Sequence, residues 1–138
     1  ESQGQLSPDG HWIAYVSAET GKQEVYIRPF PIGTGQWKVS VNGGREPRWN
    51  RDGKELFFLE LGAPDTRLLT VAIQPDAREG LRIGTPQKLF DFRGLGIVVQ
   101  TNAFAYSPHP DGKRFLVNAQ AETADPAINI ITNWQAAK

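Results

Sequence analysis

The sequence predicts an all-β fold of short antiparallel strands, and three observations support this prediction. The 138 residues include 14 Gly and 10 Pro, which weaken helices and form turns. A turn signature recurs three times along the chain, and an apolar, strand-like run follows each copy. Hydrophobic residues make up 39% of the chain, so it can bury a packed core.

The composition also excludes several classes of protein. The 15 Lys plus Arg residues balance 15 Asp plus Glu, so no net charge attracts the chain to nucleic acid. No apolar run approaches the ~20 residues of a membrane span, and we expect no membrane insertion of this segment. The absence of cysteine excludes disulfides and thiolate metal sites. Because the chain has no Met and begins at Glu1, we expect it to be a fragment of a longer protein.

The repeated turn sets the architecture. Its copies, at residues 7–10, 50–53 and 109–112, all end in Asp-Gly. Asp52 follows Asp9 by 43 positions, and Asp111 follows Asp52 by 59. The first spacing matches a four-stranded propeller blade of ~40–45 residues, and the second fits a blade with an insertion of about 16 residues. The sequence therefore predicts a β-propeller fragment of about three four-stranded antiparallel blades, which is half of a six-bladed ring.

The strand that follows each turn is apolar at consecutive positions, as at Leu56, Phe57 and Phe58. Consecutive residues on a strand face opposite sides, so such a strand belongs in a sheet packed between two other sheets. We expect these strands at 11–17, 54–59 and 113–118, with inner strands at 3–6, 45–49 and 102–106. Further strands are expected at 24–28, 67–73 and 127–132, and outer strands at 36–41 and 87–91. The third blade has no room for an outer strand.

The predicted domain organisation is a single propeller segment over the whole chain. Blade one covers residues 1–42 and blade two covers 43–92. An insertion at 93–101 precedes blade three at 102–134. Asp-Gly turns recur too far apart to share a cation, so we attribute their carboxylates to turn formation rather than to calcium binding.

These repeats resemble the WD40-like (PD40) repeats of TolB-type propellers, whose signature is Trp-Ser-Pro-Asp-Gly-Lys. Here it reads Leu6-Ser7-Pro8-Asp9-Gly10-His11 and Trp49-Asn50-Arg51-Asp52-Gly53-Lys54. Residues 24–31, 43–49 and 111–117 and the Asn133-Trp134 pair also resemble the C-terminal end of propellers linked to bacterial serine/threonine kinases. The resemblance implies a propeller fold and a periplasmic or other extracytoplasmic location, with a cytoplasmic one still open. Two departures stand out: Ser107 and Pro108 as extra residues before the third turn, and the segment 94–100.

Catalytic motifs are missing from the sequence. It has no Gly-x-Ser-x-Gly elbow, no phosphate-binding Gly-x-x-x-x-Gly-Lys and no paired histidines at zinc-ligand spacing. His11 and His109 each adjoin a turn, where a solvated side chain is expected rather than a ligand. The basic residues around Trp49 alternate with acidic ones, which favours a solvated rim over a phosphate or nucleic-acid site. We expect no catalytic residue, cofactor or metal.

Two groups of residues are candidates for an interaction surface. Inner strands line the channel of a propeller, and the register places a mixed set there: Gln5, Glu46, Arg48 and Phe104. A one-residue slip would reverse which side chains face the channel. The second group is the apolar triplet Ile97, Val98 and Val99 in the insertion, which either packs under a blade or forms a contact surface.

Two functions remain open from the sequence. The first is a non-catalytic module that binds an unidentified protein or peptide, as the C-terminal sensor or scaffold part of a larger bacterial protein. The alternative is the propeller portion of an enzyme, either a peptidase gate or a ring with an axial metal, which would require convergent carboxylates or histidines at the channel. An open arc exposes its end faces, so two isolated copies are expected to join, blade one against blade three, as a homodimer that completes a six-bladed ring.

Overall fold

The structure, a computed structural model, describes residues 1–62, 65–92, 103–120 and 126–131, the last seven of these by their backbone. These residues form twelve β-strands and no helix, which confirms the all-β prediction. The strands are β1 (Ser2–Leu6), β2 (Trp12–Ser17), β3 (Glu24–Pro29), β4 (Trp37–Lys38), β5 (Arg45–Trp49), β6 (Glu55–Glu60), β7 (Arg67–Asp76), β8 (Gly80–Ile83), β9 (Gln87–Asp91), β10 (Tyr106–Pro108), β11 (Phe115–Gln120) and β12 (Pro126–Ile131).

The strands form three antiparallel sheets, which we call blades one, two and three. Blade one has the order β1-β2-β3-β4, and blade three has the order β10-β11-β12. Blade two has the order β5-β6-β7-β8, and β9 pairs with β7 as well. Apart from β9, strands adjacent in sequence are adjacent in each sheet, which is the pattern expected of propeller blades.

The three Asp-Gly turns have the same hydrogen bonds. The Gly amide donates to the carbonyl three residues earlier, at 2.9 Å in each turn. The Asp Oδ1 accepts the amide two residues later, at 3.0, 2.9 and 2.8 Å for His11, Lys54 and Lys113. The glycines have φ angles of 74°, 70° and 67°, a region that strains any residue with a Cβ. These contacts confirm that the repeated Asp and Gly form the turns.

The inner strand of blade three differs from the prediction. It was expected at 102–106, with Ser107 and Pro108 as extra residues, but β10 occupies Tyr106–Pro108. His109 N donates to the Arg114 carbonyl at 2.8 Å, just as Ser7 N donates to the Trp12 carbonyl in blade one. Ser107 and Pro108 therefore end the strand and insert nothing. Proline has no amide hydrogen to donate between strands, so Pro108 was not recognised in the sequence as a strand residue.

The outer strand of blade one is also shorter than predicted. It was expected at 36–41 and is limited to Trp37–Lys38. Val25 N donates to the Ser40 hydroxyl at 2.9 Å, so a side chain takes the place of a backbone acceptor and the ladder stops. The chain then turns at Gly44, where a Cβ would lie 2.8 Å from Phe58.

Blade two contains a strand that the sequence analysis missed. β7 continues to Asp76 rather than ending at residue 73, and its second half pairs with the short strand β8. The amides of Arg78 and Glu79 donate to Asp76 Oδ1 at 2.8 and 2.9 Å and hold the turn between the two strands. β9 lies at residues 87–91, as predicted.

The core lies in two seams between blades, and blade two contributes to both. Leu56 and Phe58 belong to the cluster shared with blade one, whereas Phe57 and Leu59 belong to the cluster shared with blade three. All four are 0% exposed. This alternation confirms the prediction that β6 is apolar on both faces because it is packed between two sheets.

Candidate functional site

The inner strands of blades one and two each contain a β-bulge. The pairing register shifts between Ser2 and Gln5 in β1 and between Arg45 and Arg48 in β5. The bulged residues, Gln3 and Glu46, both have a φ of 54°, which is uncommon outside glycine. A bulge re-aims its side chain away from the ordinary pleat. Here both side chains reach toward the following blade.

The bulged side chains connect each inner strand to the next. Gln3 Oε1 accepts the Glu46 amide at 2.9 Å, and Glu46 Oε2 accepts the Ala105 amide at 2.7 Å. We call these two bonds the bulge latches. Gln3, Glu46 and Ala105 each lie six positions before the Asp of their own turn. The repeat therefore includes an interblade hydrogen bond as well as a turn.

Glu46 is enclosed in the seam between blades two and three. It is 0% exposed, its Oε1 lies 3.7 Å from Arg45 Nε, and its backbone carbonyl accepts the Tyr106 hydroxyl at 2.7 Å. Burial raises the pKa of Glu46 above its ordinary value of 4.5, although the Ala105 amide and the charges of Arg45 and Arg48 oppose that rise. Glu46 thus holds two blades together and contributes nothing to an exposed surface.

The other three predicted inner-strand residues come together, and we call Gln5, Arg48 and Phe104 the inner wall. Arg48 Nη1 lies 3.4 Å from Gln5 Oε1, a long hydrogen bond. The guanidinium carbon of Arg48 lies 3.8 Å from the centre of the Phe104 ring, which is a cation–π contact. Trp49 Nε1 donates to the Gln5 carbonyl at 2.9 Å and fixes β1 against β5.

A cavity of about 440 Å³ lies beside the inner wall. Arg48 lines it from β5, residues 104–107 line it from the start of β10 and the two residues before it, and Leu116 and Asn118 line it from β11. Leu116 is 43% exposed. The volume falls within the roughly 300–1,000 Å³ of ligand-binding pockets. The cavity combines a cation, an aromatic ring and an exposed aliphatic side chain with a hydroxyl and an amide.

A second groove, of about 460 Å³, lies between the turns of blades one and two. It contains Asp9, Asp52, Lys54 and Trp12. Both carboxylates already accept amides of their own turns. Within the described ranges, no three or more His, Cys, Asp or Glu side chains are grouped to hold a metal ion. No helix of the described residues is long and apolar enough to cross a membrane.

Sequence reasoning missed several residues of this site. Gln3 could have been found, since it occupies the same place in the repeat as Glu46. Ser107 was missed because it had been taken as an extra residue after the predicted strand. Leu116 lies in a predicted strand that was expected to be covered on both faces, and its exposure has no signal in the sequence. The predicted contact surface of Ile97, Val98 and Val99 lies outside the described residues.

Three consecutive antiparallel blades with hairpin turns at one end define an arc of a β-propeller, and a solved structure supports this class. The chain is similar in structure to the putative TolB from Agrobacterium tumefaciens, with a TM-score of 0.58 and 14% sequence identity over 95% of this chain and 46% of that one. It thus spans less than half of that TolB. The TolB part of the sequence resemblance is supported at the level of the fold.

Two other solved structures resemble the chain less. TolB from Acinetobacter baumannii has a TM-score of 0.48 and 17% identity, over 98% of this chain and 42% of that chain. The third structure is the β-propeller domain of the Trilobed protease from Pyrococcus furiosus, described as having an open velcro topology. Its TM-score is 0.46 and its identity 14%, over 98% of this chain and 56% of that chain. No family model and no curated protein matches the chain. The WD40-like and kinase-linked parts of the resemblance therefore stay predictions.

Proposed function

We propose that the chain is a non-catalytic β-propeller module that binds a protein partner through an extended segment at the inner wall. The observation that carries this proposal is the cavity beside Arg48 and Phe104, where apolar and polar groups converge at the inner strands. Peptide sites of this kind combine a few anchoring groups with an apolar surface. No catalytic step is assigned to the site, since its carboxylate, Glu46, is enclosed in a seam.

The exposed side chain of Leu116 provides the apolar anchor. The equivalent positions in the other blades, five residues after the Asp of each turn, are Ala14 and Phe57. Both are 0% exposed because they pack against the following blade. In blade three the same position is directed away from blade two, so Leu116 is available to a partner.

Selection of random displayed peptides on the immobilised chain tests the proposal. Peptides that bind the native chain should bind Leu116→Asp about tenfold or more weakly, because an aspartate in an apolar contact costs at least ~1.4 kcal/mol. Ile32→Asp is the matched control, since Ile32 is 90% exposed and does not line the cavity. If no peptide is selected, or if Leu116→Asp binds as tightly as the native chain, the proposal fails.

We further propose that the module belongs to a larger bacterial protein and lies outside the cytoplasm. The support is the likeness to TolB in fold and the partial coverage of that protein. Fusing the natural reading frame to alkaline phosphatase, which is active only after export, tests the location. An active fusion is expected, and an inactive but stable fusion would contradict the proposed location.

A further inference from the structure

Arg48 differs from the other arginines in the blades. Arg28, Arg67, Arg82 and Arg114 each lie within 4.0 Å of a carboxylate oxygen, and Arg45 approaches Glu46. In the described part of the chain, Arg48 has no carboxylate this close. Yet Arg48 is half-buried, whereas Arg51 and Arg78, for which no carboxylate lies this close among the described residues, are exposed turn residues.

The remaining contacts of Arg48 leave its hydrogen-bonding capacity largely unused. Its Nε is buried and has no hydrogen-bond partner among the described residues. Its bond to Gln5 is 3.4 Å long, and Phe104 contacts the flat face of the guanidinium rather than its N–H edge. A guanidinium has five donors in a planar fork, and a partly desolvated one is costly unless acceptors satisfy those donors. The Glu46 carboxylate interacts electrostatically with Arg48 but forms no close ion pair with it. An anion that enters the cavity would relieve this cost.

A carboxylate, the anion of unmodified protein chains, fits this fork because its two oxygens match two parallel N–H donors. The residues around Arg48 indicate which part of a partner would supply the carboxylate. Leu116 and Phe104 place apolar surface next to the cation, and the Ser107 hydroxyl and the Asn118 amide lie on the same cavity wall. The last residue of a peptide supplies a carboxylate and an apolar side chain from one α-carbon. An internal Asp or Glu would need a second residue for the apolar contact.

We propose that Arg48 binds the C-terminal carboxylate of a partner whose last residue is apolar, with that side chain packed against Leu116. Phe104 holds the guanidinium flat, and Gln5 fixes its far side. This inference rests on the proposed function, because it names the part of the partner that enters the cavity.

The experiment compares two pools of random peptides that differ only at the C-terminus, one with a free carboxylate and one with a carboxamide. We expect the immobilised chain to retain the free-acid pool and to enrich apolar last residues, with little retention of the amidated pool. Equal retention of both pools would overturn the inference and leave the proposed function intact. Retention of neither would overturn both. Retention of amidated peptides that contain Asp or Glu would assign Arg48 to a side-chain carboxylate instead and would also overturn the inference.

A peptide recovered from the free-acid pool is then used to test whether Arg48 binds the carboxylate. Arg48→Gln should weaken its binding about 10- to 100-fold, the range expected for losing charge-assisted hydrogen bonds. Arg48→Lys should lie between this variant and the native chain, because it keeps the charge and loses the fork. Arg51→Gln makes the same charge change at an exposed turn and should leave binding unchanged. If Arg48→Lys binds the peptide as tightly as the native chain, a bidentate contact is excluded. If Arg48→Gln folds and binds the peptide as tightly as the native chain, Arg48 is excluded as the carboxylate site.

Discussion

The two seams of the arc use the same backbone positions with different chemistry. Between blades one and two, the latch is the neutral amide of Gln3, and Trp49 donates to β1. Between blades two and three, the latch is the carboxylate of Glu46, and Tyr106 donates to β5. Aliphatic residues dominate the first seam, whereas aromatic rings meet in the second, where Phe57 and Phe115 are in edge contact at 5.0 Å.

This difference shows that one interblade hydrogen bond can be made by a neutral or an ionisable side chain. An amide needs no compensating charge, while a buried carboxylate is costly unless cations and donors surround it. Glu46 has Arg45 at 3.7 Å, and its Oε1 still lacks a hydrogen bond in the described structure. The latch of the second seam should therefore respond to pH, and the latch of the first should not.

The largest expected effect is on the core. Phe57→Ala removes a ring from the second seam, and Phe58→Ala removes one from the first. Each should lower the free energy of unfolding by ~3–5 kcal/mol, because each side chain is fully buried. Urea unfolding followed by tryptophan fluorescence measures both. A loss below about 1 kcal/mol for either variant would show that its seam is not packed as described.

Removing the latches should have a smaller effect, and an unequal one. Glu46→Ala leaves the Ala105 amide without its acceptor in a buried seam, at a cost of ~1–3 kcal/mol. Gln3 is only half-buried, so water can replace its side chain and Gln3→Ala should cost ~0.5–1.5 kcal/mol. Glu46→Gln is the control, since glutamine makes the same latch in blade one. Equal losses for Glu46→Ala and Glu46→Gln would mean that charge, not the acceptor, matters at this position.

The pH dependence of the second seam follows from the raised pKa of Glu46. The folded state holds this proton more tightly than the unfolded state, so stability is greatest below the ordinary pKa of 4.5 and falls as pH rises toward the higher folded value. Glu46→Gln should lack this fall. The difference in unfolding free energy between the two proteins, measured across a pH series, isolates the effect, and a constant difference would contradict it.

The carboxylate of the third turn, Asp111, should act in the opposite direction. Bonds to the Lys113 amide and Arg114 lower the pKa of Asp111 to about 2. Its contribution to stability is present above the ordinary value of 3.8 and is lost as pH falls toward 2. The loss of this contribution occurs equally in the native chain and in Glu46→Gln, so it cancels in the difference between their unfolding free energies.

The smallest expected effect is on self-association. Asn118, Val16 and Leu59 each lie seven positions after the Asp of their turn, and the latter two pack against the following blade. Asn118 is exposed. The ring-closing homodimer stays a prediction that competes with the peptide site for the same face of blade three, and Asn118→Leu should raise the dimer fraction by restoring the apolar residue. Light scattering at micromolar concentration measures the mass. If the native chain and the variant are both monomeric, blade three does not meet blade one of a second copy.

Much of the fold could be predicted because turns and two-sided strands have local signatures. The Asp-Gly turns, β5, β6 and β9 lie where the sequence indicates them. β8 was missed because four residues after a turn give little periodicity. The third inner strand was misplaced because Pro108 lacks the donor by which a strand is recognised.

The site was less predictable than the fold. Gln5, Arg48 and Phe104, which the sequence analysis grouped as channel residues, are in contact, although Phe104 precedes β10. Their role at a channel stays a prediction. Glu46 was separated from them by a bulge, and a positive φ at Gln or Glu has no signature in the sequence. The latches exist only once two sheets are packed together, so no single segment of the chain predicts them.

The bulge latches give the arc a direction. In each pair the acceptor is a side chain of the earlier blade and the donor is a backbone amide of the later one, so the side chain that makes the latch always belongs to the earlier blade. A duplicated copy of blade two could follow itself, since Glu46 would meet the amide of another Glu46. A blade placed after blade three would meet Ala105, whose methyl group accepts nothing. The latch therefore requires an acceptor side chain in the earlier blade, and it can be made to any later blade whose backbone amide lies at the same position.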